Sequence, residues 1–175
     1  MARRPRREPA IPEAPAALDA MGDALAATLE EVFGSDSGMQ IAAAVDEVTL
    51  TVPPDRAADV CSVCKNDPRL DFDYLRCLSV VDYVDPSGEF EINYHLYSLE
   101  KRHKMVLKTR VPEDQPAVPT VTGVWAGANW YEREGHDLFG IVFDGHPDLV
   151  PLLLYEEFEG FPGRKSFPFH DYDEW

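Results

Sequence analysis

The order in which hydrophobic periodicities follow one another is the feature that most restricts the fold of this chain. Apolar side chains recur at helical spacing over residues 18–33, which predicts a first helix. Residues 45–52 nearly alternate between apolar and polar side chains, which indicates a strand that the Pro53-Pro54 pair ends. Asp55 is placed to cap a second helix that runs to about Asn66. The chain is therefore expected to begin with helix, strand and helix.

Three further strands and one more helix are predicted in the middle of the chain. Residues 72–84 are rich in tyrosine, valine and leucine and precede a turn. An alternating strand from Phe90 to Leu99 follows, and then a third strand from Met105 to Val111. From Thr120 an apolar face at helical spacing predicts another helix. This order indicates an α+β fold with a mostly antiparallel sheet, helices packed on one face, and an extended C-terminal tail.

Composition divides the chain into an arm, one folded domain and a tail. Residues 1–16 are rich in proline, alanine and arginine and are expected to form a disordered basic arm. Residues 17–154 carry the periodic segments, and a chain of 175 residues, 45% of them apolar, is long enough for one compact core. Residues 155–175 lose this periodicity and are expected to form an extended, aromatic-rich tail that docks on a partner.

The charge of the chain restricts its partners. The formal net charge is -16, and an acidic body repels phosphate backbones, so no nucleic-acid partner is expected. The arginines of the arm suit an electrostatic tether to an acidic partner or a lipid surface. Because no run approaches the roughly 20 apolar residues of a membrane span and no apolar signal segment follows the arm, we expect a soluble, cytoplasmic protein.

Cys61 and Cys64 have the spacing of a metal-binding or redox pair. They also lie at helical spacing from Ala57 and Val60, and this fits the apolar face of the second helix, which is the interpretation we favour. Cys77 stands alone in a predicted strand, and an odd total of three cysteines fits a reducing compartment. The sequence contains no glycine-rich phosphate loop and no serine-nucleophile motif.

Residues 132–149 combine acids, an arginine and two histidines around a Leu-Phe-Gly-Ile turn. On a helix, Glu132 lies one turn from His136 and Arg133 one turn from Asp137, so two ion pairs are expected if His136 is protonated. Three interpretations remain open: an ion-pair network at a helix-to-hairpin junction, a partner-facing surface, and a catalytic or metal site. The catalytic or metal interpretation uses four side chains: Glu134, His136, Asp137 and His146.

The Asp144-Gly145 dipeptide predicts a turn after the short apolar run 141–143. His146 precedes Pro147, which favours an extended backbone and holds the imidazole ring relative to the helix end. A hydrogen-bonded structural histidine is the simpler interpretation of His146.

The tail contains seven of the nineteen aromatic residues of the chain. Their spacing fits neither a helix nor a strand, and prolines and glycine interrupt the middle of the tail. Two alternatives follow: the tail folds back over its own core, or it lies as a strap on another protein, which we favour because aromatic side chains act as interface anchors. Arg164 and Lys165 would then meet carboxylates of that partner.

The segment from Trp125 to Lys165 resembles a known family. The pattern is that of the C subunit of bacterial respiratory complex I, a family that includes the mitochondrial 30 kDa subunit, the chloroplast J subunit and membrane-bound hydrogenase subunits. The resemblance rests on these residues: Trp125, Ala128, Trp130, Glu132, Arg133, Glu134, Asp137, Leu138, Phe139, Gly140, Ile141, Phe143, Gly145, His146, Pro147, Asp148, Leu149, Leu152, Leu153, Glu159, Gly160, Pro162, Arg164 and Lys165. The chain departs from the family pattern at Val150, Pro151, Phe161, Gly163 and Ser166.

The resemblance implies a cofactor-free peripheral-arm subunit of NADH:quinone oxidoreductase on the cytoplasmic side of the membrane. Its partners would be the quinone-site (49 kDa-type) subunit and the adjacent iron-sulfur subunit, and FMN and the iron-sulfur clusters are expected in partner subunits. A relative fed by ferredoxin or F420, or a membrane-bound hydrogenase, is an alternative host. No catalytic, cofactor-binding or metal-binding residue is expected in this chain. The residues expected at partner interfaces are Glu132, Arg133, Glu134, Asp137, His146, Asp148, Phe158, Arg164 and Lys165.

Overall fold

Five strands form one mixed sheet in the computed structural model. The structure describes residues 18–44, 47–155 and 157–168, except for the side chain of Pro86. The arm predicted over residues 1–16 lies outside the described residues. The strands are β1 (Gln40–Ala44), β2 (Glu47–Thr51), β3 (Tyr74–Tyr83), β4 (Glu89–Tyr97) and β5 (Lys104–Pro112).

The sheet has the order β1-β2-β5-β4-β3. The β2–β5 pair is parallel and the other three pairs are antiparallel, so the predicted mostly antiparallel sheet is confirmed. β3, β4 and β5 are consecutive neighbours, as the predicted meander requires.

Three helices cover one face of the sheet. They are α1 (Ala20–Phe33), α2 (Ala57–Asn66) and α4 (Ala128–Phe139), while α3 (Val84–Ser87) is a single turn between β3 and β4. The carboxylate of Asp19 caps α1 by accepting from the Gly22 amide at 2.7 Å. Leu25, Leu29 and Phe33 of α1 are buried in the core that the three helices share with the sheet.

Strand pleating explains why the helices lie on one face. Side chains of one cross-strand row point to the same side, and the next row points to the other. A buried row faces the helices: Leu50, Leu107, Tyr94 and Leu78. The adjacent row has polar ends and faces away from them: Thr51, Lys108, Asn93 and Ser79. The predicted α+β fold with one covered face is therefore confirmed.

Three local expectations differ from the structure. β1 was not predicted, because its sequence of small residues has no alternation. The prediction of an Asp55 cap is wrong: a 3₁₀ turn at Pro54–Arg56 precedes α2, and no side chain caps either element. The last helix begins at Ala128 rather than near Thr120. Residues 120–127 form turns, in which the amides of Val124 and Trp125 both donate to the Val121 carbonyl. Two glycines in this segment disfavour a continuous helix.

A second, two-stranded sheet joins β6 (Ala117–Pro119) and β7 (Val142–Asp144) in parallel. The predicted turn is present, since Gly145 has a φ of +82° and the His146 amide donates to the Phe143 carbonyl at 3.1 Å. The predicted hairpin is wrong, because β7 pairs with β6 instead of with the residues after the turn. Val118 and Phe143, which are opposite each other, are buried together.

Candidate functional site

α4 carries the acidic motif and ends at a left-handed glycine. Gly140 has a φ of +75°, and its amide donates to the His136 carbonyl at 2.8 Å. The Nδ1 atom of His136 lies 2.8 Å from the Ile141 carbonyl, so the ring is held against the chain just beyond the helix. The helix end therefore has a defined geometry from which the following segments leave.

Glu132, a residue of α4, is fully buried. Its carboxylate accepts from the Val121 amide at 2.7 Å and from the Thr120 hydroxyl at 2.5 Å. The Nε2 atom of His146 lies 3.9 Å from the same carboxylate, and both side chains are shielded from solvent. Because the Asp148 amide donates to Nδ1 of His146, a neutral ring carries its proton on Nε2, which faces Glu132. Glu132 thus binds the loop before α4 and lies beside the turn after it, where the buried Nε2 atom of His146 has no hydrogen-bond partner among the residues that the structure describes.

The ion pairs predicted within the helix are wrong. Glu132 binds the 120–121 backbone and hydroxyl instead of His136, and Arg133 and Asp137 each bind backbone groups instead of one another. Backbone donors and acceptors of the flanking loops need partners wherever the loops lie close to the helix, and these charged side chains supply them.

Arg133 and Asp137 together hold residues 150–154 on α4. The Arg133 guanidinium donates to the carbonyls of Val150 and Pro151 at 3.0 and 2.8 Å. One oxygen of Asp137 accepts from three successive amides, those of Leu152, Leu153 and Leu154, at 3.1, 2.7 and 2.9 Å. Although burial acts to raise the pKa of Asp137, these amide donors outweigh it and lower the pKa below its ordinary value near 3.8.

The tail turns back onto the end of α4 over residues 161–165. The Gly163 amide donates to the Leu138 carbonyl at 2.9 Å, and Nε of Arg164 donates to the Phe139 carbonyl at 2.8 Å. The Arg164 guanidinium also lies over the rings of Phe90 and Phe161, at 5.0 and 4.7 Å from their centroids. This part of the tail follows the fold-back alternative, whereas docking of the tail on a partner stays a prediction.

Lys165 and the tail aromatics complete this arrangement. The Lys165 amide donates to the Asp82 carboxylate at 2.7 Å, at the end of β3. The Phe158 ring stacks on Phe167 at 5.9 Å and meets Tyr155 edge-on at 5.5 Å. Residues 156 and 169–175 lie outside the described residues. The positions of three of the seven aromatic residues of the tail are therefore not described: Phe169, Tyr172 and Trp175.

The nine residues predicted at partner interfaces divide by exposure. Glu132 and Asp137 are buried and bind the backbone of flanking loops, and the His146 side chain is shielded from solvent. Three residues are partly exposed: Arg133, Phe158 and Arg164. The other three are exposed: Glu134, Asp148 and Lys165. Their role at an interface stays a prediction for all nine.

The four side chains of the catalytic or metal interpretation are not brought together. Glu134 faces solvent, His136 is bound to the Ile141 carbonyl, Asp137 to residues 152–154 and His146 to Asp148. Among the described ranges 18–44, 47–155 and 157–168, no three histidine, cysteine, aspartate or glutamate side chains are placed to share a metal ion. In the same ranges no helix is long and apolar enough to cross a membrane.

Cys61 and Cys64 pack in the core on the inner face of α2, as the helical spacing predicts. Both side chains are fully buried and neither is in a disulfide. Burial raises the pKa of the Cys64 thiol to about 12 and that of Cys61 well above its ordinary value. The thiols therefore stay protonated and act as small apolar groups.

Replacing Glu132 with glutamine is expected to flatten the pH dependence of stability. Burial raises the pKa of Glu132 above its ordinary value near 4.5, more than its two hydrogen bonds lower it. Between the two values the folded state binds more protons than the unfolded state. The stability linked to this group is thus fully present below the unfolded pKa and is lost as pH rises through the folded pKa.

Denaturant unfolding from about pH 5 to 8 checks this linkage. The fall in unfolding free energy should be steeper in the wild type than in Glu132→Gln. Glu134→Gln, at an exposed carboxylate on the same helix, should follow the wild-type profile. Parallel profiles for the wild type and Glu132→Gln would contradict the interpretation.

Several partners of the motif carried no signal in the sequence. Thr120, Val121 and Asp82 bind motif or tail residues that lie 11 to 83 positions away in the chain. Trp130 is part of the family pattern, but the spacing of the motif does not indicate that its side chain is exposed on α4. A threonine ahead of a helix and an acid at a strand end are too common to indicate such contacts.

The comparison with protein families gives a match that spans most of the chain. The model of the family described as respiratory-chain NADH dehydrogenase, 30 Kd subunit, matches residues 50–173. The chain is 43% identical over 148 residues to the C 2 subunit of NADH-quinone oxidoreductase of Rhizobium meliloti (strain 1021), covering 83% of this chain and 81% of that protein. It is 44% identical over 122 residues to the C subunit of NADH-quinone oxidoreductase of Roseiflexus sp. (strain RS-1), covering 70% of each.

Solved structures similar to this chain include the following two. A trypsin-resistant fragment (1-134) of Nqo5 superposes with a TM-score of 0.62 at 34% identity, covering 72% of this chain and 99% of the fragment. A chain from the structure of the membrane-bound sulfane sulfur reductase, an archaeal respiratory membrane complex, gives a TM-score of 0.68 at 26% identity, covering 81% of this chain and 84% of that one.

Proposed function

The chain belongs to the family of the respiratory-chain NADH dehydrogenase 30 kDa subunit, and on that premise we propose that it is a peripheral-arm subunit of a complex I-type NADH:quinone oxidoreductase. The family match over residues 50–173 carries this proposal, because it covers strands β3 to β5, the α4 motif and most of the tail together. In the proposed role the whole complex transfers electrons from NADH to quinone and translocates protons. This chain supports the subunits that do so.

The proposed work of the chain is scaffolding without a cofactor of its own. The contacts of the α4 motif support it: Glu132 holds the loop before the helix, and Arg133 and Asp137 together hold residues 150–154, in each case by backbone groups. Side chains engaged in this way give a rigid surface, and rigid surfaces lose less conformational entropy when a partner binds. The electron carriers, FMN and iron-sulfur clusters, belong to partner subunits in this proposal.

The proposed partners are the quinone-site (49 kDa-type) subunit and the adjacent iron-sulfur subunit, on the cytoplasmic side of the membrane. The curated relatives named as NADH-quinone oxidoreductase subunits support a hetero-oligomeric assembly of this type. The exposed Glu134, Asp148 and Lys165 are the charged contacts that we expect such partners to meet.

A second host is favoured by one observation. The chain resembles a subunit of the membrane-bound sulfane sulfur reductase structure at 26% identity, so a related respiratory complex with another electron donor, such as ferredoxin or F420, is the alternative. The higher identity to the NADH-quinone oxidoreductase relatives, 43% and 44%, favours the NADH-linked host.

The test purifies the tagged full-length chain from its own cells under conditions that keep complexes intact. We expect the chain to comigrate with an NADH:quinone reductase on a native gel, with partner subunits identified by mass spectrometry. Glu134→Gln separates scaffolding from catalysis, since a catalytic site in the motif would need this carboxylate. Scaffolding predicts unchanged turnover per assembled complex. A tenfold loss of turnover at normal assembly would make the scaffold proposal wrong.

A further inference from the structure

Four large apolar or aromatic side chains are exposed on α4 and on residues 150–155, and we call them the Trp130 patch: Trp130, Val150, Leu153 and Tyr155. Trp130 is 62% exposed, Leu153 60% and Tyr155 66%. Arg133 joins them, because its guanidinium lies over the Trp130 ring at 5.4 Å and donates to the Val150 carbonyl. Leu153 lies on the same segment as Val150, and its amide is bound by Asp137, which is one helical turn after Arg133 on α4.

The patch is held in place by contacts within the chain. Two hydrogen bonds from Arg133 and three to Asp137 fix the backbone of residues 150–154 against α4. This geometry exposes apolar side chains where a loop could have turned them inward. Several exposed apolar side chains on a backbone held in this way are typical of a binding surface, and tryptophan and tyrosine are among the residues that most often anchor one.

The fully exposed charged residues that neighbour the Trp130 patch along α4 and along residues 148–157 are acidic. Glu134 lies on α4 four residues after Trp130, Asp148 lies just before Val150, and Glu157 follows Tyr155; all three are exposed. The guanidinium of Arg133 is already engaged with two carbonyls. A partner that matches this surface therefore carries apolar side chains flanked by lysine or arginine.

Two other occupants fit less well. A second copy of the chain would bring the same acidic rim against this one, and like charges repel across an interface. The chain's own last residues, His-Asp-Tyr-Asp-Glu-Trp, hold aromatic side chains but also three acids. We propose that the Trp130 patch is the docking surface for a segment of another subunit, with apolar anchors flanked by basic residues. This proposal rests on the proposed function, since it names the kind of surface the chain meets in its host complex.

Crosslinking in the assembled complex identifies the occupant. A photoreactive amino acid at position 153 of the full-length chain should crosslink to another subunit, at an apolar segment with lysine or arginine within a few residues. The same amino acid at position 99 is the control, because Leu99 is 62% exposed but lies between β4 and β5. Crosslinks from position 153 to a second copy, to residues 169–175, or to an acidic segment would overturn the proposal.

Substitution tests whether the patch contributes to binding. Leu153→Ser and Trp130→Ala should each reduce the fraction of chain that is assembled about tenfold when the chain is limiting, as expected for anchor residues. Leu99→Ser should assemble as the wild type does, and all three variants should keep the thermal unfolding of the free chain because the side chains are exposed. Normal assembly of both patch variants, or equal losses for Leu99→Ser, would overturn the proposal. If the unmodified chain joins no respiratory complex, the proposed function itself is wrong.

Discussion

Replacing Asp137 with alanine is expected to lower the free energy of unfolding by about 3 kcal/mol at pH 7, because three amides lose one charged acceptor. Each of these hydrogen bonds involves a carboxylate, and such bonds are stronger than neutral ones. The amides of residues 152–154 would be only partly rehydrated if the loop stayed in place, so we expect the loop to leave α4. The same change should weaken assembly, since residues 150–154 carry part of the Trp130 patch.

Chemical denaturation of Asp137→Ala and Asp148→Ala measures the effect. Asp148 is an exposed acid in the same region, and its replacement should change stability by less than about 0.5 kcal/mol. The pKa of Asp137 is lowered, so its stabilisation is present above the unfolded pKa near 3.8 and is lost as pH falls through the folded pKa. The difference between wild type and Asp137→Ala should therefore shrink in acid. A difference that is small at pH 7, or that grows in acid, would contradict the role of this carboxylate.

Replacing Gly140 with alanine is expected to release residues 161–165 from the end of α4. An added Cβ would lie 2.7 Å from the Phe161 ring and 2.8 Å from the Arg164 guanidinium, which is closer than such contacts occur. The left-handed φ of +75° adds strain of about 1 kcal/mol for any residue with a side chain. Together with the lost Arg164 contacts we expect a destabilisation of about 3 kcal/mol.

Gly88→Ala is a matched control for Gly140→Ala. Gly88 also follows a helical segment with a φ of +75°, but a Cβ there would meet no atom within 4 Å. Gly88→Ala should thus show the strain alone, about 1 kcal/mol. Trypsin reads out the tail directly, since cleavage after Arg164 or Lys165 in the folded chain should accelerate at least tenfold in Gly140→Ala and stay unchanged in Gly88→Ala. Equal stability losses, with equal cleavage rates, would show that the tail does not depend on Gly140.

Periodicity predicted the elements whose contacts are repeated along the chain. The inner faces of α1 and α2, including Cys61 and Cys64, follow from helical spacing, and the β3–β5 meander follows from alternation and turn residues. β1 has no such repetition. The segment before α4 has helical spacing but forms turns, because the side chains of Val121 and Trp125 reach the core from turns just as they would from a helix. The Nε1 atom of Trp125 donates to the Phe72 carbonyl, a contact that no local pattern indicates.

The amino-acid sequence alone determined the fold class, the packing of the cysteines and the family resemblance carried by the α4 motif. Each of these depends on residue type and spacing, which are visible without coordinates. Tertiary structure decided what the motif's charges bind: Glu132 holds the loop before the helix, Asp137 holds the loop after it, and neither forms the ion pair that spacing suggests. The partners are backbone amides 11 to 17 residues away, and every residue but proline has such an amide. Only the path of the chain in space selects which amides these carboxylates accept from.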